Sequence, residues 1–148
     1  YLAVMDRTPQ KVETYLEGIY NTVIVKDIED RQARKERDPS KRKVMARVAS
    51  RMADSLVITS DNSRTEDPAD IISDILLGVD KESEFAVVPD RAEAIRYAVK
   101  HARAGDIILL AGKGHENYEI DRRGKHPFCE KDIAVKAALE FHVNRRGE

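Results

Sequence analysis

The chain has 148 residues, enough for one domain with a real core, and 41% of them are apolar against 36% charged. Acids and bases nearly cancel to a formal net charge of −1, a balance that calls for neither nucleic acid nor a membrane surface as partner. A single cysteine, Cys129, excludes an internal disulfide framework and suits a reducing cytoplasm. No apolar run is long enough to span a bilayer, and no signal peptide is recognisable. The opening at Tyr1 rather than methionine reads as a fragment or a processed chain.

In chain order, Thr8-Pro9 opens a helix with Val12, Tyr15, Leu16 and Ile19 on one face, and residues 22–25 read as a short strand. Residues 26–43 are dense in charge. A solvated loop or exposed helix is the plain reading, and interleaved Glu29, Asp30, Glu36 and Asp38 weigh against a basic patch for nucleic acid. Asp38-Pro39-Ser40 starts a helix whose spacing puts Val44, Val48 and Met52 in the core. Residues 55–59 form an apolar strand. Asp67-Pro68 starts a helix with Ile71, Ile72, Ile75 and Leu76 inward and Gly78 at its stop. Residues 85–88 are a strand, and Asp90 caps the next helix with Glu93 three residues on, Gly105 marking its end. Residues 106–111 are the most apolar strand. A small hairpin spans 117–124 and beyond, and an amphipathic helix closes the chain from about Glu130 to Val143. Strands alternating with helices of this length predict an α/β fold with a mostly parallel sheet, joined by right-handed crossovers and covered by helices on both faces.

In open parallel sheets ligands bind beyond the carboxyl ends of the strands. Two polar loops leave strands at that edge, 60–64 and 112–116. Arg64 offers a planar fork for a carboxylate, and Glu116 offers an acceptor for an ammonium group, a pairing that suits a zwitterion better than a nucleotide. Gly112-Lys113-Gly114 has the look of a phosphate-cradling turn but lacks the full Walker spacing, so a tight turn is the simpler reading. His115 has the chemistry of an acid or base and equally that of a hydrogen-bonding loop residue. No metal-ligand spacing is present among the four histidines and one cysteine, and Cys129 has no basic partner that would activate a thiol.

The segment Ser60-Asp61-Asn62-Ser63-Arg64-Thr65-Glu66-Asp67-Pro68 resembles the Asp-Asn-Pro-Arg region of the diaminopimelate-adding Mur ligases. Asp90-Arg91-Ala92-Glu93-Ala94-Ile95, then Ala111-Gly112-Lys113-Gly114-His115-Glu116-Asn117-Tyr118, then Phe128 with the acidic helix start behind it, are similar to segments that follow in the same order. The resemblance runs from about Arg37 to the last helix. It implies a three-layer, Rossmann-like Mur ligase C-terminal domain over residues 1–148, with a divergent charged segment at 26–43. It also implies a role in cytoplasmic peptidoglycan synthesis. In that family an N-terminal domain holds the uridine nucleotide, a central domain holds ATP and magnesium, and the C-terminal domain presents the amino acid. The terminal carboxylate of the UDP-MurNAc-dipeptide is phosphorylated, and the incoming amine displaces the phosphate through a tetrahedral intermediate. A domain lacking the central ATP site is inactive alone, so no residue of this chain is expected to be catalytic.

Carried over residue by residue, Arg64 is expected to grip the distal carboxylate of meso-diaminopimelate and Asn62 to touch the same end. Asp61 is expected to order the loop, and Gly112 and Glu116 to receive the distal amino and carboxylate groups. Arg37, in Glu36-Arg37-Asp38, matches a family arginine that binds the amino acid; Lys113, Gly114 and His115 are secondary contacts. Lysine lacks the distal carboxylate and would leave a buried Arg64 unpaired, at a cost of roughly 1–3 kcal/mol or more. The chain departs from the pattern at Ser63, where the signature has proline. It departs again at Val4-Met5-Asp6-Arg7, where the family has Asp-Tyr-Ala-His, and in the longer charged stretch at 27–35. These departures keep a second reading open: a stand-alone, non-catalytic amino-acid-binding module. A phosphate-binding or nucleotide enzyme of another family rests only on the Gly112 loop.

Overall fold

The structure, a computed structural model, describes residues 2–5, 40–113 and 116–143. The helix expected after Thr8-Pro9 and the strand expected at 22–25 lie outside these residues, as do most of the charged segment, Arg37, Gly114 and His115. In chain order the elements are β1 (Leu2–Met5), α1 (Ser40–Met52), β2 (Ser55–Ile58), α2 (Pro68–Leu76), β3 (Phe85–Val87), α3 (Arg91–His101) and β4 (Ile107–Leu110). The hairpin β5 (Tyr118–Asp121) and β6 (Gly124–Pro127) follows, and then α4 (Glu130–Ala138), which runs on into a π-helical turn, Leu139–Val143.

Local chemistry accounts for the helix starts. Asp67 accepts the Ala69 N–H at 2.9 Å ahead of Pro68, and Asp90 accepts the Glu93 N–H at 2.9 Å, each satisfying one of the backbone donors that a helix N-terminus leaves orphaned. The α3 helix stops at His101, with Ala102 already extended, so Gly105 belongs to the turn beyond it and not to the helix end.

The main sheet has the order β3-β2-β1-β4. The β2–β3 pair is parallel, with Val57 opposite Ala86, but β1 runs antiparallel to both of its neighbours, Leu2 facing Val57 on one side and Leu110 on the other. The expectation of a mostly parallel sheet is corrected accordingly. β2, β3 and β4 share one direction, yet an antiparallel strand from the start of the chain separates β2 from β4. Side-chain alternation along β2 and β4 divides the core in two. Leu56, Ile58 and Leu109 pack with Ala46 and Ala49 of α1 and Ile72 and Ile75 of α2. Val57, Ile108 and Leu110 pack with Ala94, Ile95, Ala98 and Val99 of α3 and Ala137 of α4.

Two side chains expected inward are exposed. Val44 is 43% exposed and Leu76 36%. The α1 face that meets the sheet is the small-residue stripe Ala46, Ala49 and Ser50, which lets α1 lie close to its neighbours. Gly78 shows how close. A Cβ there would fall 2.1 Å from the Lys43 carbonyl oxygen, so the glycine is required by the approach of α1, not by a left-handed helix cap. Gly78→Ala is therefore expected to push the two helices apart and lose about 1–3 kcal/mol, read as a lower urea midpoint at unchanged slope.

Candidate functional site

Because β2, β3 and β4 share a direction, the segments that follow them leave the same edge of the sheet. Four parts of the chain converge there: residues 60–66 after β2, the first turn of α3, residues 111–113 and 116 after β4, and the first turn of α4, with β5 alongside. Arg91 joins them. Its side chain is fully buried, and Nε and Nη2 lie 2.7 and 2.6 Å from one Glu130 carboxylate oxygen. Nη1 donates to the Ser60 carbonyl at 3.2 Å and Nη2 to the Ala111 carbonyl at 2.8 Å. β2 and β4 lie two strand spacings apart, roughly 9–10 Å. The guanidinium spans the ends of both, bridging the gap that β1 opens.

A second buried cation sits beside the first. The Lys113 ammonium is fully buried and lies 2.9 Å from Asn62 Oδ1, 3.0 Å from the Tyr118 carbonyl and 3.1 Å from Asp61 Oδ1, with the Phe128 ring centroid at 5.4 Å. Asp61 Oδ1 is itself buried, and Lys113 serves it as a counter-ion rather than an aligned hydrogen-bond donor. Burial alone would raise the Asp61 pKa. The Asn62 backbone N–H and the charges of Arg91 and Lys113 outweigh it and hold the carboxyl below its usual value of 3.8. A carboxyl depressed by folding stabilises the fold above its unfolded value, and that contribution fades as pH falls from about 3.8 through the lower folded value. Asp61→Asn is expected to flatten this acid limb. The stability lost between about pH 5 and about pH 2.5, measured by urea unfolding, should be smaller in the variant than in the parent chain.

Gly112 completes the junction. Its φ of +117° is rarely open to other residues, and a Cβ would lie 3.1 Å from the Asp61 carboxylate and 3.6 Å from the Arg91 guanidinium. The absent side chain is what lets Asp61 and Arg91 meet under the loop.

The two groups expected to face a ligand are held from behind. Asn62 is buried; its Nδ2 donates to Glu116 Oε2 at 2.8 Å, while its Oδ1 also accepts the Ile120 N–H at 3.0 Å. Arg64 is exposed rather than buried as expected, because its left-handed backbone (φ of 54°) sits in the turn after β2; its backbone N–H donates to the Ile120 carbonyl at 3.1 Å. Its guanidinium makes no ion pair among the described residues. Arg122 reaches the same loop through a 3.3 Å bond to the Thr65 carbonyl, and Arg42 grips it from α1 through both oxygens of Glu66, at 2.7 and 2.8 Å. Counting formal charges, the carboxylates of Asp61, Glu116 and Glu130 exceed the cations Arg91 and Lys113 by one. The cluster thus keeps a negative charge beside an exposed, cationic Arg64.

This junction is built from segments that recur in known proteins: residues 11–114 match the family described as Mur ligase, glutamate ligase domain. The chain belongs to the Mur ligase family. Similar proteins include the UDP-N-acetylmuramoyl-L-alanyl-D-glutamate–2,6-diaminopimelate ligases of Haemophilus ducreyi and Bacteroides fragilis. The first is 46% identical over 101 residues, covering 68% of this chain and 20% of the relative. The second is 42% identical over 139 residues, covering 90% of this chain and 29% of the relative. A solved structure of a ligase with the same name superimposes with a TM-score of 0.68 at 39% identity, over 72% of this chain and 22% of that one. The chain thus spans about a fifth to under a third of the length of the relatives it matches.

Within this Mur ligase chain, Asp61, Asn62, Arg64, Gly112, Lys113 and Glu116 meet at one junction, whereas Arg37, Gly114 and His115 lie outside the described residues. The sequence reading assigned no role to Arg91 or Glu130. The signal was present: an arginine as the first helical residue after a strand, among Ala92, Ala94 and Ile95, is out of place on an apolar face unless something inside receives it. Cys129 is half-buried at the start of α4 and makes no capping bond through its side chain.

Proposed function

We propose that this chain is the amino-acid-binding, C-terminal domain of an ATP-dependent ligase that adds meso-diaminopimelate to UDP-MurNAc-L-Ala-D-Glu. The observation that carries the reading is the presence, at one junction, of an exposed Arg64 guanidinium and a Glu116 carboxylate held in place by Asn62. One accepts a distal carboxylate and the other a distal ammonium, while the second amine of the ligand is left to attack the activated dipeptide. Asn62 and Asp61 contribute from beneath the loop. Arg37, which lies outside the described residues, is given a contact with the amino acid by the same reading.

Among the described residues no His, Cys, Asp or Glu are grouped to hold a metal ion. The reading places ATP and magnesium on the central domain of the whole ligase, which also brings the uridine-nucleotide substrate, and gives this chain no activity alone. It takes residues 1–148 as one three-layer, Rossmann-like unit; support for this comes from the apolar clusters on opposite sides of β2. No helix of the described residues is long and apolar enough to cross a membrane, which fits work in the cytoplasm. A second reading, a non-catalytic amino-acid-binding module, is favoured by the departure from the family pattern at Val4-Met5-Asp6-Arg7.

Titrating the chain with meso-diaminopimelate and, separately, with lysine tests the first reading through amide shifts. Diaminopimelate is expected to move the Arg64 and Glu116 signals and to bind more tightly than lysine by about tenfold or more, the equivalent of one lost charge-assisted contact. Equal affinity for the two would defeat the diaminopimelate assignment.

A further inference from the structure

The loop glycines invite a view of Lys113 as a ligand for phosphate or carboxylate, but its surroundings leave it nothing to offer one. An ammonium has three donors. Two of them go to Asn62 Oδ1 and the Tyr118 carbonyl at 2.9 and 3.0 Å, the Asp61 carboxylate stands beside it as counter-ion at 3.1 Å, and the side chain is sealed from solvent. What Lys113 grips is more telling. Asn62 Oδ1 faces two donors, Lys113 Nζ and the Ile120 N–H, so its Nδ2 must turn toward Glu116. The reverse arrangement would set an amide N–H₂ against an ammonium and an amide oxygen against a carboxylate.

We propose that Lys113 is a positioning residue: it clamps Asn62 between the loops that follow β2 and β4, and through Asn62 it holds the Glu116 carboxylate where the ligand's ammonium binds. The part concerning the ligand rests on the diaminopimelate reading; the clamp itself does not. Lys113 thereby carries order from the Lys113–Asp61 ion pair, set beside the buried Arg91–Glu130 pair, out to the surface of the site. It also ties β5 into that order, since Tyr118 and Ile120 supply two of the contacts.

The test separates positioning from mere stability. Lys113→Met leaves Asp61 as a buried charge short of a partner, so the informative protein is Lys113→Met with Asp61→Asn, in which both charges are removed together. Its urea midpoint is expected to return toward that of the parent chain. The Asn62 side-chain amide, slowly exchanging in the parent compared with exposed Asn117, is expected to exchange at least about tenfold faster, and diaminopimelate affinity to fall by about tenfold. Parent-like Asn62 exchange in the double variant would overturn the proposal. So would fast Asn62 exchange in the parent chain, a measurement that needs no variant to fold. Inorganic phosphate offers a third arm: it is expected to leave the Lys113 signals unmoved, and saturable shifts there would mark Lys113 as an anion ligand instead. Should the parent chain bind no diaminopimelate, the functional reading fails while the exchange measurements still decide the clamp.

Discussion

Replacing Arg91 with methionine is expected to destabilise the fold by about 3–5 kcal/mol, because it strands the buried Glu130 carboxylate and two loop carbonyls together. Methionine matches the length and apolar character of the arginine stem, so a large loss would report the lost charge and hydrogen bonds, not a cavity. Lysine at the same position keeps a charge but not a planar fork. One ammonium is poorly shaped to serve Glu130, Ser60 and Ala111 at once, and Arg91→Lys should lie between the two. Combining Arg91→Met with Glu130→Gln removes both charges and should recover part of the loss. Urea unfolding of the four proteins checks the series. A methionine variant within about 1 kcal/mol of the parent would mean that the sheet edge does not depend on this bridge.

Replacing Arg64 with alanine should do the opposite: little to stability, much to binding. The side chain is exposed and makes no ion pair among the described residues, so its removal is expected to change stability by no more than about 0.5 kcal/mol. Diaminopimelate affinity is expected to fall by roughly 10- to 100-fold, a loss of about 1–3 kcal/mol, while the weaker affinity for lysine barely moves. Selectivity, not binding as such, should disappear. Arg64→Gly sharpens the point. At φ of 54° an L-residue is disfavoured by about 1 kcal/mol or more, and glycine is not. The glycine variant is expected to be more stable than the parent chain and no better than alanine at binding. A strained position occupied by a long cation that makes no ion pair among the described residues is what a ligand contact looks like. If Arg64→Ala kept its preference for diaminopimelate over lysine, the distal carboxylate would have to be read by another group. Arg122, bonded to the same loop, would be the first to examine.

The element order from residue 40 onward was legible because its determinants are local. Asp67-Pro68 and Asp90 with Glu93 announce helix starts through bonds that span only a few residues, and the apolar runs at 55–58 and 107–110 are strands of ordinary length. The two site loops were legible for the same reason: Arg64 and Glu116 are polar groups at strand ends, and the ligand-facing chemistry is carried by side-chain type. The order of motifs from Arg37 onward also marked the family.

Other features were set by partners distant in sequence. β1 lies antiparallel between β2 and β4 because strand pairing is chosen among all available edges, a contest that periodicity within one segment does not report. Val44 has core spacing but is exposed, since the approach of α1 to α2 selects the alanine stripe and leaves no room for a Cβ at Gly78. Lys113 and Arg91, by composition surface residues, are buried because Asp61, Asn62, Glu130 and two loop carbonyls converge on them from residues 20–52 positions away. A charge is buried only where its counter-charges and acceptors are assembled first, and that assembly is a property of the tertiary structure. The amino-acid sequence by itself determined the helices and strands from residue 40 onward; the tertiary structure decided where β1 joins the sheet and which charges hold the two loops in place.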